Sequence, residues 1–519
     1  MRQSHLILSN TLVIWVSRVL LVVPQVILVP YLIRTIGEEG YGVYVLIWSL
    51  LISVSDLEQS LQQGVVKYSA AFLAEKRIDE VNRVVSSSFV YSFFLAAVAS
   101  LGIFVTTAFF PHLMGGLRTS LFVVGVLVLF MIPMTPYIAV IQSRQKYYIG
   151  VLADTLSRYV SLAVVVAWFT MLRPSVEALI VIMAAMLLFS RFAQVPVAYR
   201  MLPGLKNRPT SFDWRVFRLI VSFGGVVVFL GLCNIANTTG VRWLMGALVS
   251  TSFVAHLAIM IMPGALLSQI TEAMTITIMP ATSAYEATGN DHMLRELLLR
   301  SMRYTTIIAL AALLIAAMLI KDMLTLWVGS SYTFLAPYTL AILATVALLM
   351  TTSSAHHMLK GLGKLWIVVF IALVGKVIVP LALIVSLFIF MHDPYLAVTT
   401  GLVAGNVVCV MMHLRFVMKV LHVSIREIIT RVYKQPLIAV VIAGAPVFVL
   451  AKCGGVNAIV LRVSIAVLGN VAFLVLMYFI FATMDERRQA AEIAQGVWRR
   501  VADFTEPISG KIFKAVRGR

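Results

Sequence analysis

Apolar runs, each about as long as a lipid bilayer is thick, follow one another along nearly the whole chain. They fall at about 9–33, 41–66, 86–110, 119–141, 149–171, 176–198, 217–239, 250–280, 304–320, 334–357, 365–390, 395–414, 436–451 and 461–482. A hydrocarbon core roughly 30 Å thick takes about 20 residues of helix at about 1.5 Å each. Backbone N–H and C=O groups find no water at that depth, so each run satisfies them internally as a helix. The pattern predicts an all-α polytopic membrane protein of about 14 transmembrane helices.

Polar positions inside the runs keep to single faces. Thr11, Arg18 and Gln25 recur every seven residues in the first run, which holds them on one side of a helix. Ser49, Ser53, Asp56, Ser60 and Gln63 stripe the second at spacings of three and four. Asn234, Thr238 and Arg242 at the outer end of the seventh, and Gln269, Glu272 and Thr275 near the inner end of the eighth, follow the same rule. A lipid-facing side has no use for such residues. For serine and threonine alone, hydrogen bonds between helices, worth about 0.6 kcal/mol each, are explanation enough. An arginine in the stripe points to a watered cavity or a charged partner.

Four cations lie within runs: Arg18, Arg158, Arg191 and Lys376. Each costs at least ~2.5 kcal/mol at a helix centre unless it is paired or hydrated. Arg158 has Asp154 one turn before it, leaving a structural ion pair and a binding role both open. Arg191 lies close enough to a boundary to snorkel. The run holding Lys376 contains no acid, nor does that holding Arg18. Their partners must come from another segment or from a ligand, which predicts a cavity for an anion. Asp56 and Glu58 are candidate proton or cation sites, or partners for Arg18. His256, His356 and His357 read as packing or interfacial residues.

Composition narrows the class. With 61% hydrophobic and 12% charged residues in 519 and a mean hydropathy of +0.97, no soluble module of useful size remains. The net charge of +19 is topological in origin. Of 41 basic residues, thirty fall in loops on the N-terminal side, seven on the other, and four inside runs. The positive-inside rule then makes both termini cytoplasmic, and no nucleic-acid partner is called for. The first run is longer than a signal-peptide core and is expected to stay as an anchor. Cys233, Cys409 and Cys453 have no ligand-like spacing, so neither a disulfide framework nor a metal or other cofactor is expected. Signatures of P-loop, zinc-protease and serine-hydrolase chemistry are missing from the sequence, and no enzyme is expected.

A faint repeat organises the chain. Gln145-Lys146 and Gly363-Lys364 stand 218 residues apart, each just before an apolar run, and the same offset carries Arg158 onto Lys376. The expectation is two pseudo-symmetric six-helix lobes, 1–200 (helices 1–6) and 201–420 (helices 7–12), with additional helices 13–14 in 421–483. A basic amphipathic cytoplasmic tail, 484–519, follows. Ile493, Val497 and Val501, then Ile508, Ile512 and Val516 beyond Pro507, suit helices lying on an anionic lipid leaflet. Gly401 and Gly405 form a GxxxG match, and Pro24, Pro30, Pro133, Pro136 and Pro263 mark kinks.

Some stretches carry a family likeness. Arg34-Thr35-Ile36-Gly37-Glu38-Glu39-Gly40-Tyr41-Gly42-Val43-Tyr44, a span, then Gly64-Val65-Val66-Lys67-Tyr68-Ser69-Ala70 resembles the opening of Wzx-type polysaccharide flippases. These belong to the multidrug, oligosaccharidyl-lipid and polysaccharide exporter superfamily. The likeness runs on through Pro280 and its charged loop, Leu326-Trp327-Val328-Gly329-Ser330-Ser331-Tyr332 and Lys360-Gly361-Leu362-Gly363-Lys364, to about residue 480. The chain departs from the family at Glu58-Gln59-Ser60-Leu61, where an Asp-x-Gly turn is common. The resemblance implies a transporter of a bacterial inner (plasma) membrane that flips a polyprenyl-pyrophosphate-linked oligosaccharide to the outer leaflet by alternating access. A polysaccharide polymerase and other envelope-synthesis proteins are its implied partners. The cavity is expected to draw on Arg18, Arg158, Lys376, Arg191, Arg242, Asp56, Glu58, Gln25, Asn234 and Glu272. The rivals are a drug/cation antiporter of the same superfamily and a non-transporting scaffold of an envelope-synthesis complex.

Overall fold

A computed structural model of the chain describes residues 2–109, 118–144, 146–275, 278–453, 459–481 and 487; side chains are left out at 1–19, 59–61 and a few other positions within helices. Among the described residues there are helices and no strands. Thirteen are long and apolar enough to cross a membrane. The first, α1 (Arg2–Ala74), would extend about 110 Å if straight, more than three hydrocarbon cores. It breaks at Gly37, whose φ of 75° and ψ of 175° leave helical space. Counting its two arms apart brings the crossings to the fourteen expected. That positive φ is open to glycine at little cost.

The remaining crossings are α2 (Ile78–Phe109), α3 (Arg118–Ser143), α4 (Tyr147–Met171), α5 (Val176–Met201), and α6 (Trp214–Ile235) running through a π turn into α7 (Val241–Leu248). Then come α8 (Thr251–Thr275), a short α9 (Ile278–Ala287), α10 (Asp291–Trp327), α11 (Ala336–Thr351) and a separate α12 (Ser353–Gly361). Next, α13 (Leu365–Ala372) and α14 (Val379–Met391) sandwich a second π turn, before α15 (Pro394–Leu421), α16 (Lys434–Cys453) and α17 (Ile459–Leu476).

Two boundaries differ from the hydropathy reading. The run 334–357 is split at Thr352, because Thr351 and Thr352 turn their hydroxyls onto the carbonyls of Leu348 and Leu349 at 2.8 and 3.0 Å and compete with the helical ladder. The helix expected at 304–320 begins at Asp291 instead. Asn290 caps it by accepting from the Met293 amide at 3.1 Å, and Arg300 pairs with Glu296 one turn back at 3.3 Å, so helix persists into polar sequence.

The chain divides into two compact units, Met1–Ala309 with Ile320–Ser424, and Leu310–Leu319 with Ile425–Arg519. In the second, Asn470 of α17 donates to the Ala311 carbonyl at 2.9 Å. Phe473 is fully buried there, whereas Leu468 is 66% exposed, as a lipid-facing side demands. The tail expected at 484–519 lies outside the described residues except for Arg487.

In the first unit, α1 packs against α6 and α8. A polar joint clasps its kink. Glu38 accepts from the Tyr332 hydroxyl at 2.7 Å and meets His256 Nε2 at 3.2 Å, while His256 Nδ1 lies 2.7 Å from the Tyr395 hydroxyl. Beside it, a Cβ on Gly42 would overlap the Thr251 carbonyl, so this part of the Gly-Tyr-Gly stretch serves close helix approach.

Candidate functional site

Lys376 owes its position to Pro380. A proline lacks the N–H that would bond the carbonyl four residues back, which here is that of Lys376 itself. The helix relaxes into the π turn Leu373–Ile378, and such bulges displace the side chains they carry. Close contact fixes the turn from outside. A Cβ on Gly375 would overlap Cys409 Sγ, and one on Gly405 would overlap the Gly375 carbonyl. Gly401 and Gly405, the GxxxG pair, thus let α15 press against Lys376's own strand of helix.

The ammonium of Lys376 donates to Asn234 Oδ1 at 2.7 Å. Asn234 stands one residue before the end of α6, where that helix loosens into its own π turn, Ala236–Gly240. Around this pair lies an opening of about 60 Å³. Lys360, His356, His413 and Cys409 line it with Lys376 and Asn234, and the rest of the wall is aliphatic. His356 Nδ1 and His413 Nε2 are 3.2 Å apart. Lys360 reaches the opening because Gly361 lets α12 touch α9, where an added Cβ would crowd the Met279 carbonyl and Thr282 at 2.8 Å. Burial, and after it the nearby Lys376, pulls the Lys360 amine down to about 8, with Glu272 opposing. Among the described residues neither ammonium meets a carboxylate at ion-pair distance. The site therefore carries surplus positive charge beside neutral imidazole, amide and thiol groups.

The other expected residues are distributed differently. Glu58, 3% exposed, has no hydrogen-bond partner on either oxygen among the described residues and sits in the electrostatic reach of Arg191 and Asp154. Asp154 accepts from Ser190 at 2.8 Å and forms no ion pair with Arg158 among the described residues. Glu58 on α1, Asp154 on α4 and Arg191 on α5 thus form an electrostatic group of their own, Glu58 buried and the other two half-buried. Arg158 is exposed and near Tyr44, and Arg242 is near Tyr41. Asp56 and Glu272, both exposed, lie close enough to repel. Gln25 is half-buried on the first arm of α1. The side chain of Arg18 falls outside the described residues.

Lys360 and His413 were missed by the hydropathy reading, and His356 was set down as packing. Lys360 counted as a loop charge because the split at Thr352 is invisible to hydropathy. Pro380, four residues after Lys376, was the one signal that could have marked the turn.

Solved structures share this fold. An inward-facing multidrug resistance MATE family transporter of the MOP superfamily superposes with a TM-score of 0.65 at 14% identity, over 78% of this chain and 94% of that one. The lipid II flippase MurJ, in an inward closed conformation, gives 0.66 at 11% identity, over 91% of this chain and 99% of that one. The eukaryotic MATE transporter AtDTX14 gives 0.57 at 12% identity, over 79% and 93%. No protein family matches the sequence, and no curated protein does. The chain is a multi-pass membrane protein whose fold is that of the multidrug resistance MATE family transporter and of the lipid II flippase MurJ.

Proposed function

We propose that this protein flips a polyprenyl-pyrophosphate-linked oligosaccharide from the cytoplasmic to the outer leaflet of a bacterial inner membrane, for synthesis of a cell-surface polysaccharide. One observation carries the reading: at Lys376 the fold keeps an ammonium among apolar helices, beside a second one at Lys360, with neutral partners only. Holding such charge in place is costly unless a visiting anion offsets it. A pyrophosphate head does so, whereas a cationic drug would be repelled. Likeness to a protein titled a lipid II flippase supports a lipid-linked cargo. Both termini are placed in the cytoplasm on the excess of basic residues in alternate loops.

Purified protein in proteoliposomes tests this with a fluorescent lipid-pyrophosphate-linked sugar. Flipping above protein-free vesicles, lost in Lys376→Met and kept in Lys376→Arg, is expected. Absence of flipping by a folded wild-type protein refutes it.

The drug/cation antiporter remains as a second reading because Asp56 and Glu272 lie near one another, and paired acids attract a cation. It predicts cation efflux that Asp56→Asn or Glu272→Gln abolishes and Lys376→Met spares.

A further inference from the structure

We infer that the opening between α6, α12, the Lys376 turn and α15 is a binding subsite for a phosphate-type oxyanion, with Lys360 and Lys376 as its two cationic arms and the one N–H that the His356–His413 pair leaves free as a neutral donor. The inference deepens the proposed function and rests on it for the natural source of the anion. The geometry stands without it.

Its volume, about 60 Å³ on a scale where one water needs about 10–15 Å³, holds several waters and leaves room for a phosphate group. Two lysines line it from different segments, Lys360 from α12 and Lys376 from the π turn. Asn234 holds the Lys376 ammonium with one hydrogen bond at 2.7 Å, leaving its other two N–H groups for a ligand. Lys360 has no hydrogen-bond partner among the described residues, so all three of its donors are free for one. His413, 5% exposed, sets its Nε2 3.2 Å from His356 Nδ1. The Asn234 amide and the imidazole pair add donors but no negative charge, while the Cys409 thiol donates to the Ile371 carbonyl at 3.9 Å. Glu272, which acts on Lys360 from α8, is the one acid in electrostatic reach, and it is not at ion-pair distance.

The same chemistry has two sources, the head of a lipid carrier or a free anion. The full-length protein in nanodiscs made with neutral lipid separates them. Inorganic pyrophosphate and farnesyl pyrophosphate are titrated in turn, with binding read by calorimetry and by the shift of the phosphorus NMR signal. Saturable binding of at least one probe is expected, weakened at least tenfold in Lys360→Ala and retained in Lys360→Arg, while Lys364→Ala, exposed on the next loop, binds as wild type. Preference for the farnesyl probe makes a lipid head the ligand; equal binding makes it the bare pyrophosphate group.

No binding of either probe, or binding untouched by Lys360→Ala and Lys376→Ala in folded protein, overturns the subsite. Thermal unfolding of each variant identifies any that fails to fold, and for such a variant Lys360→Gln is read in its place. The site and the function fail separately. Flipping that survives Lys360→Ala with binding unaltered removes the subsite and leaves the flippase. Pyrophosphate binding that needs Lys360, in a protein that flips no lipid, keeps the subsite and removes the flippase.

Discussion

Replacing Asn234 by aspartate changes one N–H₂ group for an oxygen and leaves the shape of the site nearly intact. The carboxylate would stand where Oδ1 now accepts from Lys376 at 2.7 Å. At an effective dielectric constant of about 20, opposite charges at that distance attract by about 6 kcal/mol. Desolvating two ions takes back several kcal/mol, so a net preference of about 2–3 kcal/mol remains for the internal pair. An incoming anion must now compete with that pair, which lowers its affinity by about 30- to 150-fold. Flipping of the fluorescent lipid-pyrophosphate-linked sugar at subsaturating substrate should fall by the same order, while thermal stability holds or rises. Asn234→Ser, which stays neutral, serves as the shape control and should lose no more than about threefold. Wild-type flipping by Asn234→Asp, or an equal loss in Asn234→Ser, would refute the view that uncompensated charge on Lys376 drives recognition.

Lys360 makes the subsite sensitive to pH. Its amine, lowered to about 8, sheds its proton as pH rises from 7 to 9, so the subsite loses positive charge and pyrophosphate affinity should drop across that window. The groups facing it are His356 and His357 on α12, Lys376 on the π turn, His413 on α15 and Glu272 on α8. Lys360→Arg stays charged throughout and should flatten the profile, and taking the ratio to wild type cancels the probe's own titration; parallel profiles would count against the assignment. Gly405→Ala drives a methyl into the Gly375 carbonyl and should cost about 1–3 kcal/mol or more in thermal unfolding, whereas Gly102→Ala, with open space around it, should cost little. Glu38→Ala deletes the acceptor shared by Tyr332 and His256, worth about 1.5–3 kcal/mol for each charge-assisted bond. Distance measurements between spin labels at the α1 kink and on α15 should then show a broader, longer distribution, and an unchanged one would mean the joint carries no load.

Much of the fold was legible without coordinates. Apolar length alone separates the crossings, since a bilayer permits little besides helices, and Gly37 breaks α1 in the gap between the runs 9–33 and 41–66. The oddity of Lys376 was equally plain, because a run of 26 residues, 365–390, holds no acid to offset it. What lay beyond reach was which distant groups meet. Asn234 is 142 positions away from Lys376, and hydropathy treats its amide as one polar position in a stripe. Glu58 and Asp56, two residues apart, looked interchangeable. The helix turns them about 200° from one another, so Glu58 is buried beside Arg191 and Asp154 while Asp56 is exposed opposite Glu272. Sequence by itself settles where the chain can cross oil and where charge is out of place, because both follow from local transfer free energy. Only tertiary packing decides which of those charges share a space, because that depends on glycine contacts, a proline-induced bulge and helix rotation, each set by neighbours far away along the chain.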